Sequence, residues 1–227
     1  MKVAITGANR GIGLALAQRY LEAGAQVFAL CRSPDDSARL RELGQEHEGR
    51  LVIGGIDLGD AASMERAAAL VGDDLDILIN NAGILGGADQ SLAGVDPDEW
   101  LEALNIIAIG PFRVSRAFLP ALRRSKGKIV FISSHIASSA WPTGAFYTYA
   151  SGKAALNRIM RGLARDVEQD GIKVVSLHPG HVQTDLAAPG AKMTPAESAE
   201  GMFQVVDRLD AKMNGGFYKW NGEPHPF

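Results

Sequence analysis

Six short apolar, β-branched runs punctuate the chain, at Val3 to Thr6, Gln26 to Cys31, Leu51 to Ile56, Leu75 to Asn80, Lys128 to Ser133 and Lys173 to His178. Each is nearly continuous in its hydrophobicity, which is the pattern of strands covered on both faces. The intervals hold amphipathic segments long enough for a helical crossover, so consecutive strands run parallel. The chain therefore reads as α/β, a doubly wound parallel sheet with helices on both faces. Its 227 residues suit one such domain, spanning 1–227.

Two helix starts are marked by their own punctuation. Asp96-Pro97-Asp98-Glu99 supplies a capping aspartate and a proline at the first helical position, and Thr194-Pro195-Ala196-Glu197 forms a capping box. The first helix is expected to continue towards Arg124 with a bend near Gly110-Pro111, and the second to run to about Met213. Asp185 to Thr194 has no helical period. A short loop there, near 185–194 and beyond the carboxyl end of a late strand, is placed to contact a substrate.

Charge and composition exclude several classes of partner. The formal net charge is −3, from 23 basic and 26 acidic side chains without long blocks of either sign, so no electrostatic footprint for nucleic acid or an anionic membrane is present. The single cysteine, Cys31, rules out an internal disulfide, and no Cys/His cluster has the spacing of a zinc site. With neither a signal-peptide pattern at the amino terminus nor an apolar run of about 18 residues, the expected location is cytoplasmic.

Thr6-Gly7-Ala8-Asn9-Arg10-Gly11-Ile12-Gly13 is informative because of where it falls, between the first strand and the first helix. Three glycines at a fixed spacing are weak evidence by themselves. At that position they let the backbone approach a pyrophosphate, which the helix amino terminus stabilises, as in an NAD(P)-binding Rossmann domain. The candidate contacts are Gly7, Asn9, Arg10, Gly11, Ile12 and Gly13. The second strand ends in Cys31-Arg32, not in the acid that usually meets a ribose hydroxyl, and Arg10 is a second nearby cation. Guanidinium forks suit a 2′-phosphate, so the expected cofactor is NADP(H), with NAD(H) less favoured.

Tyr149 and Lys153 stand one helical turn apart, about 5–6 Å at Cβ. A phenol near an ammonium can act as a poised acid, because the cation favours the phenolate and lowers the tyrosine pKa. Ser134, fifteen residues earlier, is a candidate donor to a substrate oxygen. Most Tyr-x-x-x-Lys pairs are solvated helix faces, so the pair gains meaning only from the motifs around it.

Taken in order, Thr6 to Gly13, Asn80-Asn81-Ala82-Gly83, Ser134, Tyr149 to Lys153 and Pro179-Gly180 resemble the short-chain dehydrogenase/reductase family over essentially the whole chain. Within it, His178 to Asp185 and Gly216 to Gly222 are similar to C-factor and sniffer-type carbonyl reductases. The resemblance implies NADPH-dependent reduction of a ketone, aldehyde or quinone to an alcohol by hydride transfer. It gives Tyr149 the role of proton donor, Ser134 that of orienting the carbonyl oxygen, and Lys153 that of holding the nicotinamide ribose while lowering the tyrosine pKa. It places Asp57 and Leu58 beside the adenine, Asn81, Ala82 and Gly83 along the adenosine, and Pro179, Val182 and Thr184 at the nicotinamide end. It also implies a small-molecule carbonyl or alcohol as partner and a homodimer or homotetramer.

Local alternatives are Ser133 in place of Ser134 if the strand register shifts, Tyr147, which faces elsewhere on a helix, and His135, more easily read as a rim residue. One departure matters. The family's helix asparagine, five residues before Phe112, is replaced by Ile107, and Asn105 points about 200° away on a regular helix unless a bulge shifts the register. The competing reading is therefore a dinucleotide-binding regulatory or signalling protein with weak or no turnover.

Overall fold

The computed structural model describes residues 1–186 and 190–227, so the centre of the 185–194 loop lies outside the described residues. Each of the six apolar runs carries a strand: β1 (Lys2–Thr6), β2 (Gln26–Cys31), β3 (Leu51–Gly55), β4 (Ile77–Asn80), β5 (Lys128–Ile132) and β6 (Lys173–His178). A seventh, β7 (Phe217–Lys219), extends the sheet, whose order is β3-β2-β1-β4-β5-β6-β7. All of its pairings are parallel. Sequence reasoning did not anticipate β7, because three residues give no period; Ser176↔Phe217 and Leu177↔Tyr218 fix its place.

The helices divide between the two faces. Helices α1 (Gly11–Glu22), α2 (Ala38–Glu46) and α7 (Pro195–Asp207) cover Val3, Ile5, Val130 and Val175 in one core layer. Helices α3 (Ala61–Val71), α5 (Gly110–Ser125) and α6 (Tyr147–Asp166) cover Ala4, Leu78, Phe131 and Val174 in the other. The alternation of residues between layers is the two-sided burial expected of a parallel Rossmann sheet. The strand order reverses direction between β1 and β4, so the crevice for a ligand opens at the carboxyl ends of those strands.

Two helix expectations need correction. Helix α7 ends at Asp207, not near Met213, because the Asp210 carboxylate accepts from the Lys212 and Met213 backbone N–H groups and holds a turn there. The helix opened by Pro97 is not simply bent. It runs as α4 (Pro97–Leu104), a π turn over Asn105–Ile109, then α5. Pro111 has no N–H to return to Ile107, and the wider turn keeps its ring off that carbonyl. The Gly110 N–H reaches back to the Asn105 carbonyl instead.

Candidate active site

Backbone conformation forces the glycine loop between β1 and α1. Gly7 and Gly11 have φ of 66° and 55°, and a Cβ placed on Gly13 would fall 2.2 Å from the Gly7 carbonyl oxygen. Asn81 then pins the loop to the end of β4. Its Nδ2 donates to the Thr6 and Gly7 carbonyls at 2.9 and 3.1 Å, while the Thr6 hydroxyl accepts from the Asn81 and Ala82 backbone N–H groups. Asn81 thus spends its side chain on the loop as well as lining the cleft. Arg10 occupies the N-cap of α1 and offers it no side-chain cap, so the first N–H groups of α1 face the cleft, the arrangement that accepts a pyrophosphate.

One cleft of about 1350 Å³ gathers the candidate cofactor residues. Gly7, Asn9, Arg10, Gly11, Ile12 and Gly13 form one wall with Arg32 at the end of β2; Asp57 and Leu58 follow β3; Asn81, Ala82 and Gly83 follow β4; Pro179, Val182 and Thr184 follow β6. The Asp57 carboxylate accepts from the Gly59 N–H at 2.8 Å, which fixes the turn after β3. Arg10 is ion-paired with Asp185 across the mouth of the cleft. A narrow glycine cradle, an uncapped helix terminus and two arginines at one end suit a phosphorylated dinucleotide.

Ser134, Tyr149 and Lys153 line the same cleft. Ser134 caps the turn His135–Ala137 that follows β5, with its hydroxyl accepting from the Ile136 N–H. Tyr149 lies in the first turn of α6, where the Gln90 side-chain oxygen accepts its backbone N–H at 2.9 Å and so caps the helix from outside. The approach to α6 is strained, with Ala145 and Phe146 at φ of 63° and 56°. Ser134 is close enough to the phenol to lower its pKa, whereas the Ser133 hydroxyl is buried without a partner. Tyr147 instead packs its ring on Trp100.

The electrostatics of the pair depart from the sequence expectation. Burial pushes the Tyr149 phenol up to about 12, with Ser134 acting in the opposite direction. Burial also holds Lys153 down to about 8. Its Nζ donates to the Ile132 carbonyl at 2.6 Å and sits 5.7 Å from the Tyr149 ring centroid. Desolvation outweighs the neighbouring charge because the charged form of either group has left water. Tyr149 is accordingly a fully protonated acid at neutral pH.

The π turn does not bring Asn105 into the site. Its Oδ1 accepts from Arg113 at 2.8 Å, further along the helix. Ile107 is the residue that faces α6: it is 1% exposed, and a Cβ on Gly152 would meet its Cγ2 at 3.0 Å. An apolar wedge therefore stands beside Lys153, where the family resemblance leads one to expect an amide.

Sequence reasoning singled out the side chains around Trp141 to Phe146 as substrate contacts but did not bring the histidines of the cleft's far wall together with them. His178, His181 and His225, with Trp141 and Phe146, join His135 there. The rings of His135 and His178 are 4.9 Å apart, and those of His178 and His225 5.7 Å. His178 ends β6, so strand continuity marked its position but not its neighbours. His225 reaches the wall because its N–H donates to the Phe217 carbonyl of β7.

Comparison with known proteins agrees with this geometry. The family model for the short chain dehydrogenase matches residues 1–194. The C-signal of Myxococcus xanthus is 37% identical over 155 residues, covering 67% of this chain and 93% of that protein. The structure of carbonyl reductase Sniffer of D. melanogaster superposes with a TM-score of 0.95 at 29% identity, covering 100% of this chain and 99% of that one. An NADPH-bound carbonyl reductase from chicken fatty liver gives a TM-score of 0.92 at 35% identity, covering 100% and 98%.

Proposed function

The chain belongs to the short-chain dehydrogenase family of oxidoreductases, and on that footing we propose that it reduces a carbonyl compound to an alcohol with NADPH. The observation that carries the reading is the convergence of Ser134, Tyr149 and Lys153 on the cleft whose other end is the glycine cradle. A dinucleotide whose pyrophosphate lay in that cradle would supply the hydride from its nicotinamide. The protein's share is orientation, a proton and an oxyanion contact. Ser134 and Tyr149 hydrogen-bond the carbonyl oxygen, and Tyr149, kept protonated by burial, delivers the proton from its hydroxyl. Lys153 is within one turn of Tyr149 to hold the ribose and to replace the lost proton. Arg10 and Arg32 favour the 2′-phosphate of NADPH over the free hydroxyl of NADH. The NADPH-bound relative supports that choice.

Ile107 and the likeness to the C-signal favour one other reading, a dinucleotide-binding regulator with little turnover. A panel of aldehydes, ketones and quinones decides between the two. With NADPH, Tyr149→Phe should bind the cofactor as the native protein does while losing at least about 100-fold in turnover. Full residual turnover in that variant rejects the mechanism, and calorimetric NADPH binding without turnover of any compound by the native chain favours the regulator.

A further inference from the structure

Of the chain's 5 histidines, His135, His178, His181 and His225 line one cleft. They arrive from separate elements: the turn after β5, the end of β6, the segment after it, and the segment after β7. His135 packs edge-on against Trp141 at 4.3 Å, and His178 lies between His135 and His225. Among the described residues no group of histidines and acids is arranged to hold a metal ion.

Two further observations set the chemistry of this wall. The first is that, among the described residues, no side-chain carboxylate is hydrogen-bonded or ion-paired to His135, His178 or His225. The side-chain acids lining the cleft are Asp57, bonded to the Gly59 N–H after β3, and Asp185, beside Arg10 of the glycine loop. The base contributed by β7, Lys219, is paired with Glu223. The second is the tautomer of His178. The Gly180 N–H donates to its Nδ1 at 3.3 Å, which assigns the imidazole proton to Nε2 and makes that nitrogen a donor.

We propose that this imidazole wall binds an anionic group of the substrate, so that the preferred carbonyl compounds carry a carboxylate. The inference rests on the carbonyl reductase reading and names its substrate class. Burial together with the charges of His135, His225, Lys219 and His181 holds His178 down to about 3, and burial with His225 and His181 lowers His135. An incoming carboxylate reverses that balance, because an opposite charge within about 4–6 Å favours the imidazolium. Anion binding is then coupled to uptake of a proton by the cluster, and it weakens as pH rises.

The test compares 4-formylbenzoate with its methyl ester in NADPH-dependent reduction from pH 6 to 8.5. The expected ratio of kcat/KM, acid over ester, is at least tenfold at pH 6 and falls towards pH 8.5. His225→Gln should lower the pH 6 ratio at least fivefold. An ester reduced as well as the acid at pH 6, or a ratio that His225→Gln leaves unmoved, overturns the proposal. Titration of benzoate into the NADPH complex, in two buffers of different ionisation enthalpy, should show proton uptake; binding without uptake, or no binding at millimolar benzoate, also overturns it. Failure to reduce either aldehyde or any member of the neutral panel counts against the reductase reading, and the benzoate titration still decides the anion site.

Discussion

Replacing Ile107 by asparagine separates stability from turnover at the position where the family resemblance leads one to expect an asparagine. Ile107 is 1% exposed and packs against α6 at Gly152. Removing its side chain from the core costs about 2–3 kcal/mol of apolar burial. An amide in the same space adds about 1–3 kcal/mol if it finds no partner. The total, about 3–6 kcal/mol, is a large part of an ordinary domain's stability. If the amide instead recruits a water that reaches Lys153 Nζ, each hydrogen bond restores about 1 kcal/mol and the net loss is nearer 2–3 kcal/mol. That second outcome also opens a polar route to a lysine whose Nζ otherwise donates to the Ile132 carbonyl, so turnover on an activated ketone should rise while NADPH affinity stays within about twofold of native. Urea denaturation followed by tryptophan fluorescence, steady-state NADPH oxidation and calorimetry measure the three quantities. A loss below about 1 kcal/mol refutes the buried wedge, and unchanged or lower turnover in a folded variant refutes the alignment of Ile107 with the family's amide.

Two further substitutions probe the opposite ends of the cleft. Gly13→Ala puts a Cβ 2.2 Å from the Gly7 carbonyl and 2.5 Å from Asn81 Nδ2, so the loop must move; a cost of about 1–3 kcal/mol and at least about tenfold weaker NADPH binding are expected, and native affinity by calorimetry refutes the cradle. Lys153 has a folded pKa of about 8 against 10.5 for the free side chain. Between those values the unfolded chain binds the extra proton, so stability rises with pH across that window, by up to roughly 3 kcal/mol from this one group. Lys153→Met should be more stable than native at pH 7 and lack that rise between pH 8 and 10; parallel native and variant profiles refute the buried cation.

What the sequence made legible and what it did not divide along a physical line. Continuous apolar runs identify buried parallel strands because burial on both faces leaves no room for alternation, so β1 to β6 stood out. The glycine loop was readable because its position between strand and helix restricts what three glycines can be for. Tyr149 and Lys153 were readable because one helical turn is a local geometry. The direction of the Tyr149 pKa was not, since it depends on how much water the fold removes, and the helical spacing that brought the lysine close says nothing of desolvation. Pro111 announced a disturbance in its helix but not that the disturbance is a π turn, and the fate of Asn105 depended on Arg113, eight residues on. His178 and His225 meet through β7, a strand too short to read, so their wall was invisible along the chain.

Helix α6 shows how a site of this kind is held against its own cost. Its C-terminal half buries Leu156, Met160, Leu163 and Ala164 against Phe131 and Val174, an apolar stripe that docks the helix on the sheet. Its N-terminal half buries Lys153, and at the junction with the apolar stripe Asn157 is 2% exposed with neither amide atom bonded to protein. Two more hydroxyls without partners, those of Ser133 just past β5 and Ser176 within β6, lie on the strands that this helix covers. A polar group left so costs about 1–3 kcal/mol, and the lysine adds its own desolvation, whereas each buried Leu or Met contributes about 1.5–3 kcal/mol. The two halves are therefore of comparable and opposite weight. Because helix formation is cooperative, docking of the apolar half holds the polar half in register, with Gln90 capping the amino terminus at Tyr149. Trimming the stripe, far from the chemistry, is then expected to loosen Tyr149 and Lys153 before it unfolds the sheet.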